Sequence, residues 1–309
     1  MRNLRIFFRG LLCVLLAVAM TGSAACSGGA KDGEEGFHVV ASFTPVYALT
    51  LAVTDGAQHV TVDCMTSETT GCPHDYQLTP ADMQKVETAD FLVLNGAGME
   101  SSFMDKIFSQ YPDLPTVESA DGVQLLHEGE DGHQHTDEQE TYNPHTWLSL
   151  WNAADQVDAI ATALSQADPA NSQVYAANAA AFRSQVEALD SSYRARLEGL
   201  SHKKIMTFHA AFAYLAEDYG LEVTAVIESS PGTAPDPQTL QELIDTVHAQ
   251  GITAIFTEPQ YPDSTAQVIA EATGAKIFTL DPLVTGNMNK DSYLEGMEEN
   301  FKTLIEALS

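Results

Sequence analysis

Two runs of short β-rich segments alternating with amphipathic ones, set on either side of an Ala-rich stretch, leave few folds open to this chain. In the first run, residues 37–43, 59–63 and 91–95 read as strands, with helices starting near Pro45 and Pro80. Thr79-Pro80 is a helix start, because Thr caps the free amides and Pro suits the first helical position. In the second run, 204–208, 222–227, 252–257 and 276–280 read as strands, with helices around 210–218, 237–250, 263–273 and 291–308. Such alternation predicts the α/β class, in two (β/α) lobes. Between them, residues 169–200 place Val174, Ala177, Ala181, Val186, Leu189, Tyr193 and Leu197 in a helical stripe. A helix of about 30 residues is about 45 Å long, a single rigid connector. An ordinary core helix of one lobe has the same periodicity. The expected division is a first lobe over 37–168, a connecting helix over 169–201 and a second lobe over 202–309.

The N-terminus reads as an export signal over residues 1–25. Arg2, Arg5 and Arg9 form its basic region, and the apolar run over 11–20 is too short for a transmembrane helix. Ser23-Ala24-Ala25-Cys26, followed by Ser27-Gly28-Gly29, suits a lipoprotein in which Cys26 carries the lipid and 26–36 form a tether. Ser23 stands where a lipobox usually has Leu, so the alternative is cleavage after Ala25 to give a soluble secreted protein. The 14 Lys and Arg against 43 Asp and Glu give a net charge of −29, which excludes nucleic acid and anionic lipid surfaces as partners and suits a cation.

Cys64 and Cys72 are the cysteines left beyond the signal and its cleavage site. Export predicts that they pair as a disulfide; two thiolate metal ligands are the rival, without the usual Cys-x-x-Cys spacing. Residues 127–140 contain His127, His133 and His135 and six acids with no Lys or Arg, so they predict a solvated loop. It is either an acidic linker or a weak, exchangeable collecting site for a divalent ion.

Three further histidines, His74, His145 and His209, sit beside turn or strand-end signals, where open α/β sheets form their binding crevice. They lie 71 and 64 residues apart, so no local spacing joins them. The wording around them does. Residues 73–82 (Pro73-His74-Asp75-Tyr76-Gln77-Leu78-Thr79-Pro80-Ala81-Asp82), Asn143-Pro144-His145-Thr146-Trp147-Leu148, and Phe208-His209-Ala210-Ala211-Phe212-Ala213-Tyr214 with Tyr219-Gly220-Leu221 resemble the zinc- and manganese-specific solute-binding lipoproteins of ABC importers. Residues 89–100, ending Asn95-Gly96-Ala97-Gly98-Met99-Glu100, look like that family's strand and turn, so Gly96-x-Gly98 is no nucleotide motif. Glu271-Ala272-Thr273-Gly274-Ala275-Lys276 and Leu280-Asp281-Pro282-Leu283 resemble its C-terminal signature.

The resemblance implies two lobes joined by a rigid helix, with a metal in the cleft held by His74 and His145 from the first lobe and His209 from the second. Asp281 takes the fourth position, with Glu258 or a water as alternatives. Three neutral imidazoles and a carboxylate suit Zn2+; an acid in place of His209 would suit Mn2+ better, and Mn2+ stays as the alternative cargo. The family implies an ABC permease and its ATPase as partners, a monomer, and a cell-surface or periplasmic location with lipid anchorage. A metal-dependent surface adhesin uses the same fold. An exported zinc hydrolase is the competing class, but the chain has no His-Glu-x-x-His and no carboxylate left over as general base, so no enzymatic activity is expected. The chain departs from the family at Ser149-Leu150, where Asp-Pro is frequent, and at Cys64 and Cys72.

Overall fold

The computed structural model describes residues 36–66, 76–127, 142–228 and 234–309. The expected signal, Cys26, Cys72, His74, His133 and His135 lie outside these residues. The pairing of Cys64 with Cys72 and most of the 127–140 segment fall outside with them.

The first lobe is built on β1 (Phe37–Ala41), β2 (Val60–Cys64), β3 (Phe91–Leu94) and β4 (Thr116–Glu118), all parallel, in the order β2-β1-β3-β4. The second repeats that order with β5 (Lys204–Thr207), β6 (Glu222–Val226), β7 (Ala254–Thr257) and β8 (Lys276–Thr279), as β6-β5-β7-β8. In each sheet the first strand has the second on one side and the third on the other. The carboxyl ends of the first and third strands therefore lie side by side at the point where the strand order reverses, which is where a parallel sheet opens a crevice.

Strand alternation divides the apolar residues between two faces. Val39 and Ala41 of β1, Phe91 and Val93 of β3, Ile205 of β5, and Ala254 and Phe256 of β7 face a shared core. Val40, Leu92 and Leu94 face a separate first-lobe cluster, and Met206 and Ile255 a separate second-lobe one. The shared core is filled by α1 (Thr44–Thr54), α4 (Leu150–Ala167), α5 (Ser172–Glu198) and α9 (Ser292–Leu308), through Leu49, Val157, Phe182 and Phe301 among others. The remaining helices are α2 (Pro80–Glu87), α3 (Met104–Gln110), α6 (Ala213–Tyr219), α7 (Pro237–Gln250) and α8 (Ser264–Thr273). The Thr79 start is a full capping box: its hydroxyl accepts from the Asp82 amide and the Asp82 carboxylate accepts from the Thr79 amide.

A long helix does stand between the lobes. It is α5, 27 residues and about 40 Å, entered through a 3₁₀ turn at Pro169–Asn171. Its buried face differs from the expected stripe: Tyr175, Ala179, Phe182, Val186, Asp190 and Leu197 are buried, while Ala177 and Ala181 are exposed. The bulky Tyr175 and Phe182 take the core, and Ala, indifferent to either side, follows. Asp190 tolerates burial because Arg194 donates to both its oxygens, at 2.8 and 2.9 Å, and the Tyr219 hydroxyl donates at 3.0 Å.

Candidate metal centre

His209 lies two residues beyond the end of β5 and is 3% exposed. Its carbonyl accepts from the Thr207 hydroxyl at 2.9 Å, which fixes the backbone as it leaves the strand. Glu258 is the first residue after β7, the strand paired with β5, so the two strand ends bring it beside His209. Glu258 Oε1 lies 2.5 Å from His209 Nδ1 and accepts from the His209 amide at 3.3 Å; Oε2 accepts from Gln260 at 2.7 Å.

His145 precedes a 3₁₀ turn, Thr146–Leu148, that leads into α4, and is 2% exposed. Asn143 Oδ1 accepts from its amide at 3.0 Å and lies 2.9 Å from its Nδ1. Asn143 is itself tied to the second lobe: its Nδ2 donates to the Ala210 carbonyl at 2.5 Å, and its carbonyl accepts from the Tyr214 hydroxyl at 2.7 Å.

With both Nδ1 atoms turned to oxygen acceptors, proton placement on Nδ1 leaves both Nε2 lone pairs aimed at one spot. His145 Nε2 and His209 Nε2 are 3.2 Å apart, the rings meeting at 68°. Two nitrogens of a tetrahedral zinc, each at about 2.0–2.1 Å from the ion, stand about 3.3 Å apart. The pair is thus spaced as one edge of such a tetrahedron.

Asp281 follows β8 and is half-buried. Its amide donates to Asn300 Oδ1 at 2.9 Å, and Asn300 returns a bond to its carbonyl at 2.8 Å, which pins the loop to α9. Asp281 Oδ1 accepts from the Leu283 amide at 2.7 Å. Burial pushes its carboxyl above the usual carboxylate range, and the Glu258 charge adds to this. The neighbouring Pro282 carbonyl accepts from the Trp147 indole at 2.8 Å, so the loops carrying Asp281 and His145 are bonded to each other.

The structure thus brings His145 and His209 together and sets Glu258 on the far nitrogen of His209. Among the described residues, no group of three or more His, Cys, Asp or Glu side chains is placed to hold a metal ion. His74 lies outside them, and Asp281 does not complete such a group with the pair. His127 is exposed, its ring 4.8 Å from that of Tyr142, with which it forms an antiparallel bridge. Sequence reasoning passed over Asn143, although an Asn two residues before a buried His is a recognisable side-chain-to-backbone turn.

Among the described residues no helix is long and apolar enough to cross a membrane. Residues 39–307 match the family model described as zinc-uptake complex component A, periplasmic (ZnuA). The chain is 31% identical over 305 residues to the zinc-binding lipoprotein AdcA of Streptococcus pneumoniae, covering 95% of this chain but 58% of AdcA. It is 28% identical to the high-affinity zinc uptake system protein ZnuA of Bacillus subtilis, over 96% of this chain and 95% of that protein. A mutant structure of the laminin-binding adhesin Lmb from Streptococcus agalactiae superposes with a TM-score of 0.78 at 28% identity, covering 89% of this chain and all of that one. With the fold, the facing histidines and a match across nearly the whole described chain, the protein belongs to the ZnuA family of metal-binding, substrate-binding proteins of ABC importers.

Proposed function

We propose that this chain is the extracytoplasmic zinc-binding component of an ABC importer, capturing Zn2+ between its lobes and delivering it to a membrane permease worked by its ATPase. The observation that carries this reading is the facing pair of His145 and His209 Nε2 atoms, 3.2 Å apart, one from each lobe. In this reading His74 supplies the third imidazole and Asp281 the fourth donor, with Glu258 as the alternative. Such an N3O set favours Zn2+ over the harder Mn2+. The charge of −29 favours cation capture. His127, His133 and His135, with the acids of 127–140, form an accessory collecting loop that holds zinc weakly near the tight site. Cys26 carries the lipid anchor, Cys64 and Cys72 pair as a disulfide, and the protein works as a monomer without catalysing a reaction.

The test is metal analysis of the purified protein after competition between equimolar Zn2+ and Mn2+. One tightly held zinc is expected, and retention of Mn2+ instead overturns the zinc assignment. The likeness to a laminin-binding adhesin favours a second reading, metal-dependent surface adhesion on the same fold. Zinc-limited growth of a strain lacking the protein separates the two: a transport role gives a growth defect that added zinc relieves, and adhesion alone gives none.

A further inference from the structure

The Asn95-Gly96-Ala97-Gly98 turn after β3 makes no hydrogen bond to either of the facing imidazole rings, yet it holds a buried polar network beside them. Asn95 is fully buried. Its Nδ2 donates to the Pro144 carbonyl at 2.9 Å, and its Oδ1 accepts from the Thr146 hydroxyl at 3.1 Å. One side chain thus grips the residues immediately before and after His145. Its remaining capacity is filled by the Gly96 carbonyl and by Gln156 Nε2, both at 2.9 Å.

Asn95 is in turn held by Glu100, whose buried carboxylate accepts from the Asn95 amide at 2.7 Å, the Gly96 amide at 3.1 Å and the Ser42 hydroxyl at 2.7 Å. That convergence requires left-handed backbone: Gly96 and Gly98 have φ of 80° and 82° with Ala97 at 53° between them, and consecutive amides then curl around an anion. A Cβ on Gly96 would also meet the Glu118 side chain at 2.9 Å.

We infer that Asn95, fixed by Glu100 and the glycine turn, is the positioning residue that sets the height and tilt of His145 toward His209, and so tunes zinc affinity without touching the metal. This rests on the reading of His145 as a ligand. A backbone gripped on both sides of a ligand has little freedom to follow a larger or differently coordinated ion, which gives the network a role in metal choice as well as in packing.

The experiment uses the full mature chain carrying Asn95→Asp, Thr146→Val, Thr146→Ser or His145→Ala. Zinc affinity is read by competition with a chromophoric chelator, coordination by the visible d–d bands of the Co2+-loaded protein, and fold by the melting temperature of the metal-free protein. Asn95→Asp keeps the shape and the acceptor but removes the donor to Pro144; Thr146→Val removes the hydroxyl alone. Each is expected to weaken zinc by roughly 10-fold or more, as when a ligand's supporting partner is lost, and to change the Co2+ bands, with Thr146→Ser restoring both. If Thr146→Val and Asn95→Asp lower the melting temperature but leave zinc affinity and the Co2+ bands as in the unmodified protein, the network is structural and the inference is overturned. Should Asn95→Asp fail to fold, the Thr146 pair decides by the same criterion. Unchanged affinity in His145→Ala overturns the metal site itself; lost affinity there with unaltered Thr146→Val overturns the positioning role alone.

Discussion

The two lobes share one strand order but support their histidines by different means. Position for position, Glu258 after β7 corresponds to Asn95 after β3, since each is the first residue beyond the third strand of its sheet. In the second lobe that position is a carboxylate lying directly on the imidazole, 2.5 Å from His209 Nδ1. In the first lobe it is a neutral amide that grips the neighbours of His145, and the carboxylate has retreated to Glu100, one layer further from the ring. The same topology thus sets a carboxylate against one histidine and a backbone clamp around the other. A directly bonded carboxylate fixes the orientation of the ring itself, whereas an amide that grips the flanking residues fixes the backbone from which the ring projects.

The comparison breaks most severely if the histidines are not partners. His145→Ala and His209→Ala should each lower zinc affinity by more than the roughly 10–100-fold that loss of a supporting group costs, measured by chelator competition. A large loss in one with none in the other would mean the lobes do not share a site.

Next in size is the pH dependence set by Glu100. Burial pushes its carboxyl from 4.5 up to about 7. Between those values the folded protein binds a proton that the unfolded chain has released, so stability is highest at the acid end and falls as the pH rises, by up to about 3 kcal/mol. Asp218, pushed up to about 6 by burial, adds a slope of the same sign. Glu100→Gln should remove only the Glu100 share, which denaturant unfolding of both proteins at pH 5 and pH 8 would measure. Parallel curves for the two proteins would show that Glu100 does not ionise in this range.

Trp147→Phe asks whether the lobes brace one another. It leaves the buried Pro282 carbonyl without its indole donor, at a cost of about 1–3 kcal/mol in unfolding free energy. An unchanged value would mean another donor has replaced it. Glu258→Gln tests the charge on His209 while keeping its shape, and about a 10-fold loss of zinc affinity is expected. No loss would make the two lobes electrostatically alike. The smallest effect belongs to Lys290→Ala: the ion pair with Asp55, 3.2 Å long, joins the lobes at the surface between half-exposed side chains, and calorimetry should find no shift in melting temperature.

The strand–helix alternation was legible in residue pattern where strands are bounded by turn residues and where helices such as α7 and α9 bury a single face. Three elements were not read. β4 has three residues, too few for alternation to register, and α3 is seven residues, two turns, with Met104 and Ile107 buried. α4 carries a regular stripe of Leu150, Ala153, Val157, Ile160 and Leu164, but it follows directly on the Trp147-Leu148 motif and merges with it in composition. The phase of α5 was misread because Ala fits inside or out, and the two aromatics that decide it stand outside the expected stripe. At the site, a His or Glu just past a strand is visible to the rule that parallel sheets bind at their carboxyl ends. The pairing of His145 with His209 came only from the resemblance carried by the motifs around them, since 64 residues separate them and no local spacing encodes a contact across lobes. Asn95, followed by Gly, reads only as turn punctuation.

The apolar core that runs without interruption from Val39 and Trp147 through Tyr175 and Phe182 to Phe256 and Phe301 gives the lobes a common thermodynamic fate. Neither can melt while the other stays native, because each lobe's inner sheet face is solvated only when the helices it shares are lost. Heating should therefore produce a single calorimetric transition whose van't Hoff and calorimetric enthalpies agree. The slowest-exchanging amides should come from both sheets together.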